Sequence, residues 1–269
     1  MRMKAETPGR ITGGRLKPLA VGCLLAALGA AQAIGGGQAH AGEAARTVTV
    51  VELFTSQGCS SCPPADQTLA NLAADPSVIA LTFPVDYWDY LGWRDTFARP
   101  DFSKRQKGYA KVRGDNEVYT PQAVINGSVA VIGSDEHKVR GAIETARRSG
   151  HGPSVPISAR VEGDKVIVEV PAGAPLPGQR TSLWIAAFRE PTTVSIDKGE
   201  NTGRTVTYTN VVERWQVLGI WDGTAMRVEL PLADIAQDGT AGCAVILQAK
   251  KHDKPSRILG AAKIDLLSN

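Results

Sequence analysis

The chain has 269 residues, of which 43% are hydrophobic, 21% charged and 6% aromatic, which excludes a disordered chain and supports one large domain or two of ordinary size. The formal net charge of +3 comes from the first seventeen residues, which hold five basic side chains and one acidic side chain. Because the remainder is close to neutral, the sequence has no electrostatic surface for nucleic acid, and we expect no nucleic-acid partner.

The amino-terminal segment has the three parts of a secretory signal peptide. A basic stretch precedes the apolar run Leu19–Ala31, and small-residue cleavage patterns follow at 31–33 and 39–41. The run is too short to span a bilayer comfortably, although a retained anchor is the alternative. Cys23 lies near the start of the run, which argues against lipidation. We therefore expect residues 1–41 to be a cleaved signal peptide, with export and no stable membrane anchor afterwards.

Residues 47–149 alternate between strand and helix patterns. The apolar, β-branched runs TVTVVELFTS and VIALTFPV predict buried strands, and QAVING with VAVIG predicts a strand pair around a two-residue turn. Helices are predicted over Ala65–Ala74, Asp101–Val112 and Glu136–Arg148. The order β-α-β-α-β-β-α predicts an α/β domain in which helices cover one sheet.

From about Pro153 the pattern changes to short alternating strands separated by Gly, Pro and Asp turns. Such strands at regular spacing predict an all-β antiparallel sandwich-like domain over residues 153–269. The boundary between the two predicted domains falls in the segment 149–153, SGHGP.

The residues that carry chemistry are concentrated at Cys59-Ser-Ser-Cys62, between the first strand and a helix that begins with two prolines. This places Cys59 at a helix amino terminus, where unpaired backbone N–H groups and the macrodipole stabilise a thiolate and lower a cysteine pKa. Because two residues separate the cysteines, the Cys62 sulfur can reach the Cys59 sulfur. The pair therefore indicates thiol–disulfide exchange.

Other functions of this pair stay open. The disulfide of an exported, non-catalytic binding protein needs only structural cysteines. A Cu(I)-binding metallochaperone uses soft sulfur ligands, although no histidine stands beside the pair. Structural zinc is disfavoured because His137, His151 and His252 lack ligand spacing, and we predict no metal and no cofactor.

Two further residues have alternative interpretations. Cys243 lies in the apolar run GCAVILQA and is predicted to be a small buried hydrophobe rather than a catalytic or resolving cysteine. Glu52 is the one acid inside the first strand, and it is either a buried proton acceptor for Cys62 or a strand-edge or cross-paired acid. The sequence favours the second interpretation.

Tyr87, Trp88 and Trp93 belong to the densest aromatic patch, which follows the second predicted strand. The patch is a candidate lining for a substrate groove beside the cysteines, or else a satellite core or an interface with the second half. Pro121 opens the third strand, where proline removes no central ladder hydrogen bond. Asn201–Arg204 has turn chemistry that fits either a simple turn or a binding loop.

The segments VELFTSQGCSSCPPAD, VDYWDYLGWRDTFARPDFSKRQKGYA, VYTPQAVING and ENTGRTVTYTNVV are together similar to the secreted bacterial family catalogued as domain of unknown function 1223, over about residues 47–267. A strand, a CxxC at a helix start and a strand-opening proline also resemble the thioredoxin fold. The resemblance implies an α/β thioredoxin-like domain followed by the all-β antiparallel sandwich-like domain.

On this resemblance Cys59 corresponds to the attacking cysteine, Cys62 to the resolving cysteine, and Pro121 to a cis proline that faces them. Thr120 joins the aromatic residues as a substrate-binding candidate. We expect an exported thiol–disulfide oxidoreductase, periplasmic or secreted, that acts on a protein or small-molecule thiol or disulfide.

Overall fold

The computed structural model describes residues 48–150 and 152–266, and the predicted signal peptide lies outside the described residues. The described strands are β1 (Thr49–Thr55), β2 (Val78–Pro84), β3 (Gln122–Ile125), β4 (Val129–Ile132), β5 (Ser158–Glu162), β6 (Lys165–Val170), β7 (Arg180–Arg189), β8 (Thr192–Ile196), β9 (Arg204–Tyr208), β10 (Val212–Trp221), β11 (Met226–Pro231), β12 (Thr240–Lys251) and β13 (Lys254–Asp265). The described helices are α1 (Pro63–Ala73), α2 (Pro100–Arg113), α3 (Glu136–Arg148) and α4 (Leu232–Ile235), with a 3₁₀ turn at Asp89–Leu91.

The three helices predicted in the first half are confirmed to within two residues at each end. Proline occupies the first turn of α1 and of α2, where a missing N–H costs no intrahelical hydrogen bond. The Asp135 side chain caps α3 by accepting a hydrogen bond from the Lys138 N–H at 3.0 Å. None of the helices in the described ranges is long and apolar enough to cross a membrane.

The first sheet is mixed and has the order β2-β1-β3-β4, with β1 parallel to β2 and antiparallel to β3. β1 and β2 are buried along their whole length, which explains their continuous apolar runs. β3 and β4 form a hairpin whose turn residues, Asn126 and Gly127, both have positive φ. Helices α1 and α3 cover one face of this sheet.

The other face of the first sheet is covered by α2 and by a second sheet with the order β10-β7-β12-β13. Val50 and Phe54 of β1 share one buried cluster with Ala244 and Ile246 of β12. The alternate residues of β12 belong to a different cluster, shared with the third sheet, β11-β6-β5. β12 is therefore buried on both faces between two layers.

The predicted fold class is wrong. Thirteen strands in four sheets stand against four helices in the described residues, and the chain is mainly β-sheet without a demonstrated thioredoxin-like α/β domain. The physical reason is that one helix, α2, is too little to cover the second face of the first sheet, so strands from the second half complete that core. The proposed domain boundary at residues 149–153 stays a prediction.

The fourth sheet is the hairpin of β8 and β9. Its base is attached to the edge strand β2 through a parallel bridge between Thr82 and Val211. Its apolar residues pack with Trp93 and Phe97 of the loop that follows β2. This packing brings the loop Asp197–Gly203, which we call the hairpin tip, next to the segment that follows β1.

Candidate functional site

Cys59 and Cys62 form a disulfide at the start of α1, with their Cα atoms 5.4 Å apart. The turn between them closes through a hydrogen bond from the Cys62 N–H to the Cys59 carbonyl at 3.1 Å. Ser60 and Ser61 are exposed, but Cys59 is only 1% exposed and Cys62 is fully buried. In this closed arrangement the disulfide bond is out of reach of an external thiol.

The start of α1 supplies few free backbone donors near the Cys59 sulfur. Pro63 and Pro64 have no N–H, and the next two N–H groups, of Ala65 and Asp66, both donate to the Cys62 carbonyl. The nearest polar side chain to the Cys59 sulfur is Ser61, whose Oγ lies 3.4 Å away. A Cys59 thiolate would therefore depend on the helix macrodipole and this hydroxyl.

The aromatic loop after β2 contacts the segment that leads into Cys59. The Trp93 indole N–H donates to the Gln57 side-chain oxygen at 2.9 Å, and the Gln57 backbone N–H donates to Asp95 at 2.8 Å. The Gln57 amide in turn donates to the Thr96 hydroxyl at 2.9 Å. Gln57, two residues before Cys59, is thus held by these three hydrogen bonds to residues of one loop.

Trp88 connects the cysteine turn to the segment before β3. Its indole N–H donates to the Thr120 hydroxyl at 2.7 Å, and a Cβ on Gly58 would lie 3.0 Å from the Trp88 Cβ. The Thr120–Pro121 peptide bond is cis, and Pro121 is buried. Tyr87 donates to Gln106 at 3.2 Å, and burial raises the pKa of Tyr87 to about 12.

The structure therefore brings Trp88 and Trp93, both half-buried, against the segment that leads into Cys59, and Trp88 links this segment to Thr120. Tyr87 is not bonded to the cysteine turn; its ring packs near Trp88, and its hydroxyl is bonded to Gln106 of α2.

Glu52 lies elsewhere. It is fully buried in the central strand β1 and pairs with Arg105 of α2 at 2.5 Å. Because side chains alternate along a strand, Glu52 faces the α2 side together with Val50 and Phe54, whereas α1 covers the opposite face. Glu52 is a cross-paired acid in the structure, the alternative that the sequence favoured.

The buried acid beside the cysteines is Asp66, which sequence reasoning missed. It is 3% exposed, and neither carboxylate oxygen has a hydrogen-bond partner in the described residues. Burial raises the pKa of the Asp66 carboxyl well above its usual value; the nearby Thr55 hydroxyl opposes this shift and the charge of Asp95 adds to it. The spacing of Asp66 from Leu69 and Leu72 was the available signal, because it places Asp66 on the apolar face of the helix.

Asp95 is a second buried acid of the same region. It is 4% exposed and accepts hydrogen bonds from the backbone N–H groups of Gln57, Phe97 and Ala98 at 2.8–3.1 Å. Burial raises the pKa of Asp95 to about 6, with those backbone hydrogen bonds opposing the shift. Asp66 and Asp95 are therefore two buried carboxyl groups with raised pKa values, and both belong to residues that are hydrogen-bonded to the segment around the cysteines.

The sequence also missed Asn201 in the hairpin tip. Its side-chain amide donates to the carbonyls of Gln57 and Cys59, at 2.9 and 2.8 Å, across more than 140 residues of chain. Glu200 accepts a hydrogen bond from the Ser60 N–H at 3.2 Å. Turn composition alone carried no signal for these long-range contacts.

Cys243 is fully buried in β12, and it is the free cysteine of the described residues. Burial raises the pKa of its thiol to about 12, and the charge of Asp265 adds to this. In residues 48–150 and 152–266 no three His, Cys, Asp or Glu side chains are grouped so that they could hold a metal ion.

The fold and the site together define a mainly β protein with a buried disulfide at the start of a helix. The chain belongs to the family described as "Protein of unknown function (DUF1223)", whose model matches residues 50–248. Among solved structures, it is similar to protein AGR_C_4864 from Agrobacterium tumefaciens, with 38% sequence identity, a TM-score of 0.72, and coverage of 80% of this chain and 93% of that chain.

A more distant likeness is to HBP35 of Porphyromonas gingivalis, with 12% identity, a TM-score of 0.57, and coverage of 83% of this chain and 76% of that chain. At this identity the likeness concerns the fold alone. No curated protein matches the chain.

Proposed function

We propose that the protein is a thiol–disulfide oxidoreductase that works through Cys59 and Cys62. The observation that carries the proposal is the disulfide between two cysteines at the start of α1. The loop with Trp88 and Trp93 contacts the segment before Cys59, and Trp88 is bonded to Thr120, which precedes the cis Pro121. The partner is a thiol or disulfide of a protein or of a small molecule.

In the reducing direction the Cys59 thiolate attacks one sulfur of a partner disulfide, and the other partner sulfur leaves as a thiolate. The Cys62 thiolate then attacks the Cys59 sulfur, which restores the Cys59–Cys62 disulfide and releases the second partner thiolate. Two electrons pass from the protein dithiol to the partner, and two protons follow. The opposite direction oxidises a partner dithiol by the same steps in reverse.

Asp66 supports this reaction as a proton acceptor for Cys62. It lies one helical turn after Cys62, and its backbone N–H donates to the Cys62 carbonyl at 3.1 Å. Because side chains on a helix tilt toward the amino terminus, we infer that the Asp66 carboxyl group is on the Cys62 side of the helix. Burial raises the pKa of Asp66 well above its usual value, which favours uptake of a proton by its carboxylate.

The test begins with the substitution Cys59→Ser, which should abolish reduction of a protein disulfide such as that of insulin, while Cys243→Ser should retain full turnover. After chemical reduction, Cys59 should alkylate at neutral pH at least about tenfold faster than Cys243, because burial raises the Cys243 pKa to about 12. Unchanged turnover in Cys59→Ser, or equal slow labelling of all cysteines, would contradict the proposal.

The role of Asp66 has a separate readout. Asp66→Asn should slow formation of the Cys59–Cys62 disulfide from the dithiol and remove one titration step from its pH profile, and Asp66→Glu should restore part of the rate. Gln67→Ala is the matched control, because Gln67 is exposed on the same helix. An unchanged pH profile in Asp66→Asn would exclude the proton-transfer role.

A second candidate function is a non-catalytic binding protein whose disulfide only stabilises the turn. The burial of both sulfurs favours this candidate, since structural disulfides are protected from reductants. A very negative reduction potential for Cys59–Cys62 together with no turnover would select it over the oxidoreductase.

We also propose export to the periplasm or the medium. The basic segment, short apolar run and small-residue cleavage patterns support it, and a disulfide suits an oxidising compartment. Fractionation of cells that express the full chain should place it outside the cytoplasm, with a mature amino terminus near residue 42. An uncleaved cytoplasmic product would overturn this part of the proposal.

A further inference from the structure

The tip of the β8–β9 hairpin is bonded to the backbone of the cysteine turn. Asn201 is 1% exposed, and its amide donates to the carbonyls of Gln57 and Cys59. Glu200 of the tip accepts from the Ser60 N–H, and Arg204, the first residue of β9, donates to the Ser60 carbonyl at 3.5 Å. Four hydrogen bonds therefore fix the backbone on both sides of Cys59.

These contacts coincide with the burial of the disulfide. Attack by a thiolate requires an approach to a sulfur atom, and the closed turn leaves 1% of Cys59 and none of Cys62 exposed. The hairpin side chains are bonded only to backbone groups of the cysteine turn. The redox chemistry of the two sulfurs needs none of these hydrogen bonds. The tip can therefore release the turn without loss of any reacting group.

The hairpin is anchored at its base by bonds to the strand β2, and at its tip by bonds from Asn201 and Glu200 to the cysteine turn. At the base, the Thr82 N–H donates to the Asn210 carbonyl at 3.0 Å, and the Asn210 amide donates to the Ala80 carbonyl at 2.9 Å. The tip residues are mostly exposed, and glycines with φ of 79° and 78°, Gly199 and Gly203, stand at both sides of Asn201. A fixed base and a polar, glycine-flanked tip suit a movement confined to the tip.

We propose that the hairpin tip, Asp197–Gly203, is an autoinhibitory latch on the Cys59–Cys62 disulfide, an inference that rests on the proposed function. The latch closes over the oxidised turn, and a partner thiolate reaches the sulfurs only after Asn201 leaves the carbonyls of Gln57 and Cys59. Access to the disulfide is thus controlled by the second half of the chain.

The test measures the rate at which dithiothreitol reduces the disulfide in the folded, full-length mature protein, with alkylation and mass spectrometry as the readout. Asn201→Ala removes two hydrogen bonds of modest net strength, and it should raise the reduction rate about tenfold. Ser195→Ala is the matched control, because Ser195 is exposed on the same hairpin and its hydroxyl is hydrogen-bonded to Thr205 and not to the cysteine turn. Its reduction rate should equal that of the wild type.

A second variant protects the test against a folding defect in Asn201→Ala. Replacement of residues 197–203 by Asn-Gly, a sequence that favours a two-residue hairpin turn, removes the tip and leaves the base in place. This variant should also be reduced at least about tenfold faster than the wild type. Equal reduction rates in the wild type and both variants would overturn the latch.

The two proposals fail in different ways. Faster reduction in the variants, with no turnover of a protein disulfide in any of them, would support the latch and contradict the oxidoreductase. Turnover in the wild type with no acceleration in either variant would support the oxidoreductase and overturn the latch.

Discussion

The buried ion pair between Glu52 and Arg105 provides a sharp test of how the two halves of the chain are joined. Glu52 is fully buried, Arg105 is 8% exposed, and the two side chains meet at 2.5 Å. The Arg105 guanidinium also donates to the Tyr109 hydroxyl at 2.7 Å and lies 4.1 Å from the ring centre of Trp215 in β10. The substitution Glu52→Gln removes one charge and leaves this cation buried without its partner.

The expected cost follows from the burial of both groups. Breaking a buried pair by removal of one partner destabilises a protein by about 3–5 kcal/mol, because the remaining charge is desolvated and unpaired. For a chain of this size, 1 kcal/mol corresponds to about 2–4 °C in Tm, so Tm should fall by roughly 6–20 °C. The double variant Glu52→Leu, Arg105→Met removes both charges and should be less destabilised than Glu52→Gln alone.

Urea unfolding followed by tryptophan fluorescence measures these differences, since Trp215 lies against Arg105. Stability of Glu52→Gln within about 1 kcal/mol of the wild type would refute the buried-pair argument, since it would match an exposed pair. The same variant tests the redox role of Glu52. Because Glu52 faces away from α1, the pH profile of disulfide formation in Glu52→Gln should be unchanged. A changed profile would support the role of Glu52 as a proton acceptor for Cys62.

Three other perturbations have defined outcomes. Because the folded state raises the pKa of Asp95 from 3.8 to about 6, the folded protein binds the proton more tightly than the unfolded chain, so this group's contribution to stability falls by about 3 kcal/mol as the pH rises from about 4 to 6. In urea unfolding, the stability of Asp95→Asn relative to that of the wild type should increase as the pH rises from 4 to 7. A constant difference in the free energy of unfolding would contradict the shifted pKa. Gly127→Ala should lower the free energy of unfolding by at least about 1–3 kcal/mol, because the added Cβ would collide with the Ser256 carbonyl and Gly127 has a positive φ. Gly141→Ala should raise the free energy of unfolding by about 0.5–1 kcal/mol, because Gly141 lies in α3 with open space around it. Thermal unfolding of the two variants measures both changes. Ser61→Ala should slow alkylation of reduced Cys59 relative to Ser60→Ala, because the Ser61 hydroxyl alone lies 3.4 Å from the Cys59 sulfur, and equal rates would exclude this hydroxyl as the stabilising donor.

The parts of the site that follow from local sequence were predictable. The strand before Cys59, the proline-started helix after Cys62 and the proline that opens β3 all depend on residues close in sequence. Asp66 could have been found in the same way, from its place on the apolar face of α1. Asn201 could not, because its contacts with Gln57 and Cys59 span more than 140 residues and nothing in a turn sequence names its partners.

The way in which the sheets pack on one another could not be predicted from the sequence for a related reason. The apolar run of β12 correctly predicts a buried strand, but a strand buried on both faces does not say what covers each face. In the structure one face of β12 packs in the core of the first sheet and the other packs against the third sheet, which is why the expected α/β fold class is wrong.

The sequence by itself determined the helices, the strands and the cysteine pair, since hydrophobic period and proline position act over a few residues. Only the tertiary structure decided that both sulfurs are buried, that Glu52 pairs with Arg105, and that a hairpin tip from the second half holds the cysteine turn. These features depend on which surfaces meet in space, and the packing of distant segments decides that.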